Sequence, residues 1–84
     1  MNEDVVADRI RGFLVRQFPA TKNVGRAEPL LKNGLIDSLG VLDVVTFVET
    51  EFDISVSDED LLPENFGSVQ SLAAFVQSKV NGAT

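Results

Sequence analysis

The chain has 84 residues, 44% of them apolar, a net charge of −6 at neutral pH, and neither cysteine nor histidine. That length and composition suit one small folded domain, residues 1–84 with a core over about residues 5–80. The missing cysteine excludes disulfides and thiolate metal sites, and the missing histidine removes the commonest general base and transition-metal ligand.

The elements read mostly as helices. A first helix is expected over Glu3–Gln17, where Val6, Ile10, Phe13 and Leu14 repeat at the helical period and Pro19 marks the end. From Pro19 to Asp37 the periodicity dissolves around Pro19, Gly25, Pro29 and the Asn33-Gly34 pair. So long a loop in so small a domain points either to an unrecognised element within it or to function, and Leu30, Leu31, Leu35 and Ile36 are expected to pin it to the core. A second helix is expected over Ser38–Phe52, with Asp37 or Ser38 as its cap. Its core face gathers Val41, Val44, Val45, Val48 and Phe52, and another face gathers Leu39, Asp43, Thr46 and Thr50.

After Ile54-Ser55-Val56, the run Ser57-Asp58-Glu59-Asp60 has the signature of a helix start, and Pro63 limits that helix to a few residues. Ser68 is expected to cap a last helix bearing Val69, Leu72, Ala73, Val76 and Val80 on one stripe, fraying at Asn81-Gly82. The sum is an all-α four-helix bundle: three longer helices, a short third one, and a long loop between the first two.

Charge is unevenly spread. No Lys or Arg occurs between Asn33 and Ser78, a stretch that holds Asp37, Asp43, Glu49, Glu51, Asp53, Asp58, Glu59, Asp60 and Glu64. Such a surface repels phosphate backbones, which argues against nucleic-acid ligands, and attracts basic protein patches. The plain alternative is a solvated surface that keeps the protein in solution. No apolar run reaches the ~20 residues that cross a bilayer. The acidic Met1-Asn2-Glu3-Asp4 start lacks a signal-peptide core, so a cytoplasmic protein without membrane insertion is expected.

Candidate chemistry narrows quickly. Ser38 has no histidine to deprotonate it, and its nearest basic neighbour in sequence is Lys32, so no catalytic triad forms and no enzymatic activity is expected. Asp53 and Glu64 stand twelve positions apart inclusive, as in a calcium loop. Asp58 replaces the required glycine and Pro63 precedes the final acid, so that reading fails.

At this point "GLIDSLGVLDVVTFVETEF" resembles the signature of acyl carrier and peptidyl carrier proteins. The similarity extends to the long loop before it, "FDISVSDEDL" after it and "FGSVQSLAAFVQSKV" at the end, from about Val5 to Val80. The resemblance implies a four-helix bundle in which Ser38, beside Asp37, carries 4′-phosphopantetheine derived from coenzyme A. It also implies a phosphopantetheinyl transferase, a loading ligase and downstream synthases or transferases as partners of a monomeric carrier. Docking would fall on the second helix through Asp37, Leu39, Asp43, Thr46 and Glu49. The cargo would be an acyl or aminoacyl thioester of a fatty-acid, polyketide or nonribosomal-type pathway.

Gly40 follows Asp-Ser-Leu where fatty-acid carriers often have an acid, Thr46 and Thr50 thin the acidic stripe, and Phe47 is bulky for its place. The phrase Gly-Leu-Ile-Asp-Ser-Leu-Gly is more similar to D-alanyl and other free-standing carriers loaded by an adenylating ligase. Gly40 is expected to let a partner or the arm approach closely, at up to about 1 kcal/mol of helix stability. A reading from another class remains, in which a helical adaptor binds a basic partner and Ser38 is only a cap.

Overall fold

Asn2 begins the first helix by accepting the Val5 N–H on its side-chain oxygen at 2.9 Å. In the computed structural model, which describes residues 2–82, this helix, α1, spans Glu3–Gln17 as expected. Glu3 and Asp4 in its first turn and Arg16 in its last both suit the helix dipole. Val6, Ala7, Ile10 and Leu14 are buried, and Phe13 packs against the core only in part. The Phe18 N–H returns to the Leu14 carbonyl, and Pro19 then opens a 3-10 turn, Pro19–Thr21, instead of another α turn.

The long loop is tied down by both apolar and polar contacts. Val24, Leu30 and Ile36 are buried, and Leu31 and Leu35 pack against the core. Arg11 donates to the Val24 carbonyl at 2.6 Å, and the Leu30 and Gln70 amides reach Gly67 and Arg26 carbonyls at 2.7 Å each. The Leu35 and Ile36 amides both return to the Leu30 carbonyl, closing a turn in which Gly34 takes φ 73°, a conformation glycine adopts without strain.

Helix α2 spans Ser38–Phe52 as expected. Val44, Val48 and Phe52 are buried, while Val41 and Val45 are only half-buried, so the core face is narrower than the apolar pattern suggests. Asp53 ends the helix in the left-handed conformation, φ 54° and ψ 51°, with its N–H on the Glu49 carbonyl.

The short element differs from expectation. Ser57-Asp58-Glu59-Asp60 forms a single 3-10 turn, Asp58–Asp60, and the short helix α3 follows at Pro63–Phe66. Pro63 starts that helix rather than bounding it from behind. A proline at the first helical position gives up an N–H that would be unpaired anyway, and its fixed φ already suits the helix.

The Ser68 hydroxyl caps α4, Val69–Gly82, by accepting the Ser71 N–H at 3.1 Å. Val69, Leu72, Ala73, Phe75 and Val76 are buried. Val80 is 36% exposed, because the stripe runs past the end of the core, and the helix continues through the expected fraying point to Gly82. The most extensive helix interface joins α1 to α4, and α3 packs on α4. The described residues hold four α-helices, two 3-10 turns and no strand, joined by loops, an all-α four-helix arrangement.

An aromatic ladder joins α1 to α2. Phe13 stacks on Phe47 at 4.3 Å between ring centres, with Phe18 edge-on to Phe13 and Phe52 edge-on to Phe47. Phe47, too large for a solvated face, is therefore half of an interhelical stack. Arg9 and Glu51 pair at 2.9 Å across the same two helices.

Candidate functional site

Asp37, not Ser38, caps α2. Its backbone is extended, φ −91° and ψ 179°, and its Oδ1 accepts the Gly40 N–H at 2.7 Å. Its carbonyl takes the Val41 N–H at 3.2 Å. Ser38 therefore becomes the first helical residue. It is exposed, and its hydroxyl makes no hydrogen bond within the described residues. The first-turn amides of Ser38 and Leu39 have no helical partner and lie at the positive end of the helix dipole.

Gly40 serves the interior, which corrects the expectation that it makes room for a partner or the arm. It is buried, and a β-carbon there would lie 2.7 Å from Ile36 Cγ2 and 3.0 Å from the Phe18 ring. Its missing side chain lets the end of α1 and the end of the long loop close against α2.

Beside Ser38 a cleft of about 600 Å³ separates the first turns of α2 from α3. Leu31, Ile36, Val41, Leu42, Leu61, Leu62, Pro63 and Phe66 line it, with Asp37 and Ser38 at the same opening. Asp37 is its single charged lining residue, and that carboxylate already holds the Gly40 amide.

The expected docking residues do not share one environment. Leu39 is 75% exposed, Asp43 and Thr46 are exposed beside it, and Thr46 returns its hydroxyl to the Leu42 carbonyl at 3.1 Å. Glu49 is half-buried, and its Oε2 accepts the Val56 N–H at 2.9 Å. The structure adds Leu42, 55% exposed, and the exposed pair Leu61 and Leu62. Leu42 falls between the two faces of the helical wheel, and Leu61-Leu62 precede a proline outside any helical period. An adjacent leucine pair bounded by acids and Pro63 was the available signal.

Among titrating groups, Asp60 is held below the ordinary carboxylate range, first by the Ser57 backbone N–H and then by Lys79.

Capped α2, exposed Ser38 and the neighbouring apolar cleft make the head of α2 the candidate site of this small helical domain. Comparison with known proteins places it. No protein-family model matches the chain. It is 37% identical over 49 residues to a probable acyl carrier protein, PigG, of Serratia sp., a match covering 58% of this chain and 56% of that protein. It is 33% identical over 75 residues to aminoacyl carrier protein 1 of Bradyrhizobium diazoefficiens, covering 89% and 81%. It is 28% identical over 80 residues to the acyl carrier protein of Chlorobium phaeovibrioides, covering 94% and 100%. The chain belongs to the acyl and aminoacyl carrier protein family.

Proposed function

We propose that Ser38 is the attachment point of a 4′-phosphopantetheine arm, and that the protein passes cargo between enzymes of a specialised acyl or aminoacyl pathway in the cytoplasm. The observation that carries this reading is the division of labour at the helix head. Asp37 takes the cap, which leaves the Ser38 hydroxyl exposed and unbonded at the mouth of an apolar cleft.

The local chemistry fits the group. A phosphodiester on Ser38 would meet unpartnered first-turn amides and the positive end of the dipole. When bound, the group supplies a terminal thiol that holds cargo as a thioester, a function this cysteine-free chain lacks by itself. The protein's residues supply the anchor, the cleft and the docking face. With no histidine in the chain, deprotonation of Ser38 falls to a partner transferase. The chain is thus a carrier rather than an enzyme.

The cleft lining favours an apolar acyl group, because apart from Asp37 and Ser38 at its opening every lining side chain is apolar, so an ammonium seated deeper would leave its acceptors behind. The similarity to an aminoacyl carrier supports a second cargo, a small aminoacyl group loaded by a ligase with its ammonium kept at the solvent-facing rim. Partners would approach over Leu39, Leu42, Asp43 and Thr46 through basic patches, binding weakly and leaving quickly.

The test is to incubate the protein with coenzyme A and a broad-specificity phosphopantetheinyl transferase and weigh the product. A single phosphopantetheine addition is expected, with one new titratable thiol, and both should be absent from Ser38→Ala. If the wild type gains no mass where a control carrier does, the helical-adaptor reading replaces this one.

A further inference from the structure

The cleft beside Ser38 has unequal walls. One wall is α2, embedded in the bundle. The other runs through Leu61, Leu62 and Pro63 into α3, which packs on α4. At its lower end this wall has a firm apolar anchor, since buried Phe66 packs on Phe75 of α4 at 5.6 Å between ring centres. At its upper end it does not. The turn Asp58–Asp60 buries no residue and makes no extensive packing contact with any helix.

One side chain replaces the missing apolar anchor. Asp60 Oδ2 accepts the Ser57 N–H and hydroxyl, both at 3.1 Å, and pairs with Lys79 Nζ on α4 at 3.0 Å. The Asp60 carbonyl accepts the Leu62 N–H and the Asn65 side-chain amide, both at 2.9 Å. Lys79 is itself steadied over the Phe75 ring, 5.7 Å from its centre. Asp60 thus links the turn, the start of α3 and the far helix through one residue. Leu61 and Leu62, the next two residues, face the cleft.

We infer that Asp60 and Lys79 are positioning residues: their ion pair is the strut that holds the Leu61–Pro63 wall and sets how far the cleft beside Ser38 opens. Loss of the strut leaves α3 hinged at Phe66, so its upper end swings while its lower end stays packed. The consequence for a cargo on Ser38 rests on the carrier reading above, whereas the strut itself does not.

The test compares Lys79→Met, which keeps an aliphatic stem on Phe75, with Lys79→Arg, which keeps the charge. Arg9→Met removes an ion pair remote from the cleft and serves as the control. In the unmodified protein, Leu61 and Leu62 methyl resonances should broaden or shift in Lys79→Met, recover in Lys79→Arg, and stay unchanged in Arg9→Met. Unchanged methyls in Lys79→Met, or equal changes in the control, would overturn the strut. In protein loaded from octanoyl-coenzyme A, hydroxylamine should cleave the thioester roughly two- to fivefold faster in Lys79→Met, the span a partly exposed ion pair controls. Equal cleavage rates alongside shifted methyls would overturn the link to cargo and leave the strut standing. A wild type that accepts no arm would count against the carrier reading alone, since the methyl measurement needs none.

Discussion

The edge of the Phe18 ring lies where a side chain on Gly40 would have to go, 3.0 Å from the position of the missing β-carbon. Ile36 Cγ2 is closer still, at 2.7 Å, and is itself buried. Alanine at this position raises helix propensity by up to about 1 kcal/mol. Overpacking a closed site costs about 1–3 kcal/mol; Ile36 is buried, and half-buried Phe18 is held edge-on against Phe13. Gly40→Ala should therefore destabilise the fold by about 1 kcal/mol net, read as a lower urea midpoint at unchanged slope. A gain in stability would mean that Phe18 and Ile36 yield to the added methyl.

The cap makes a separate prediction. Asp37 Oδ1 holds the Gly40 amide, so Asp37→Ala should cost about 0.5–2 kcal/mol. Asp37→Asn keeps an acceptor oxygen and should cost less. Ser38→Ala should cost far less than Asp37→Ala, because the serine hydroxyl bonds to nothing within the described residues. Equal losses from Asp37→Ala and Ser38→Ala in urea denaturation would show that the two residues share the cap.

These two residues also show what the sequence could and could not reveal. Periodicity located α1 at Glu3–Gln17, with Pro19 marking its end, and α2 at Ser38–Phe52, because both helices bury one regular stripe. The head of α2 was legible as a site, yet the choice between Asp37 and Ser38 was not, since both residue types cap helices equally well. Gly40 misled because a helical wheel records only which side of its own helix a residue faces. What fills the space is Phe18, brought from the end of α1 by the fold. Pro63 misled for a related reason: proline can either end one helix or begin the next, and only the path of the chain decides. The cleft was invisible, because its walls come from residues 31–42 and 61–66, which no local pattern relates.

Docking through α2 can be tested without disturbing the fold. Asp43 is exposed and has no ion pair or hydrogen bond within the described residues. Asp43→Lys should leave the urea midpoint nearly unchanged, slow transferase modification of Ser38, and flatten its dependence on salt. Glu49 is expected to behave differently, because its carboxylate holds the Val56 amide where the chain leaves α2. Glu49→Lys should cost about 1–2 kcal/mol of stability, so its effect on modification would mix folding with docking. If Asp43→Lys is modified at the wild-type rate with the wild-type salt dependence, the partner surface lies elsewhere.

Acid provides the last test, at Asp60. The Ser57 backbone N–H, and after it Lys79, hold this carboxyl below its ordinary value of 3.8. A carboxylate whose folded value is depressed stabilises the fold fully above its unfolded value. It loses that contribution as pH falls through the folded one. The Asp60 contribution should therefore persist to about pH 4 and decline only below it. Lys79→Met removes the second cause and leaves the first. Its Asp60 midpoint, followed by carboxyl-carbon NMR, should rise relative to wild type and still stay below the ordinary value. The stability gap between wild type and Lys79→Met should also close as acid protonates Asp60, because Lys79 then has no carboxylate to hold. A gap that stays constant through that range would show that Lys79 stabilises the protein through its contact with Phe75 and not through Asp60.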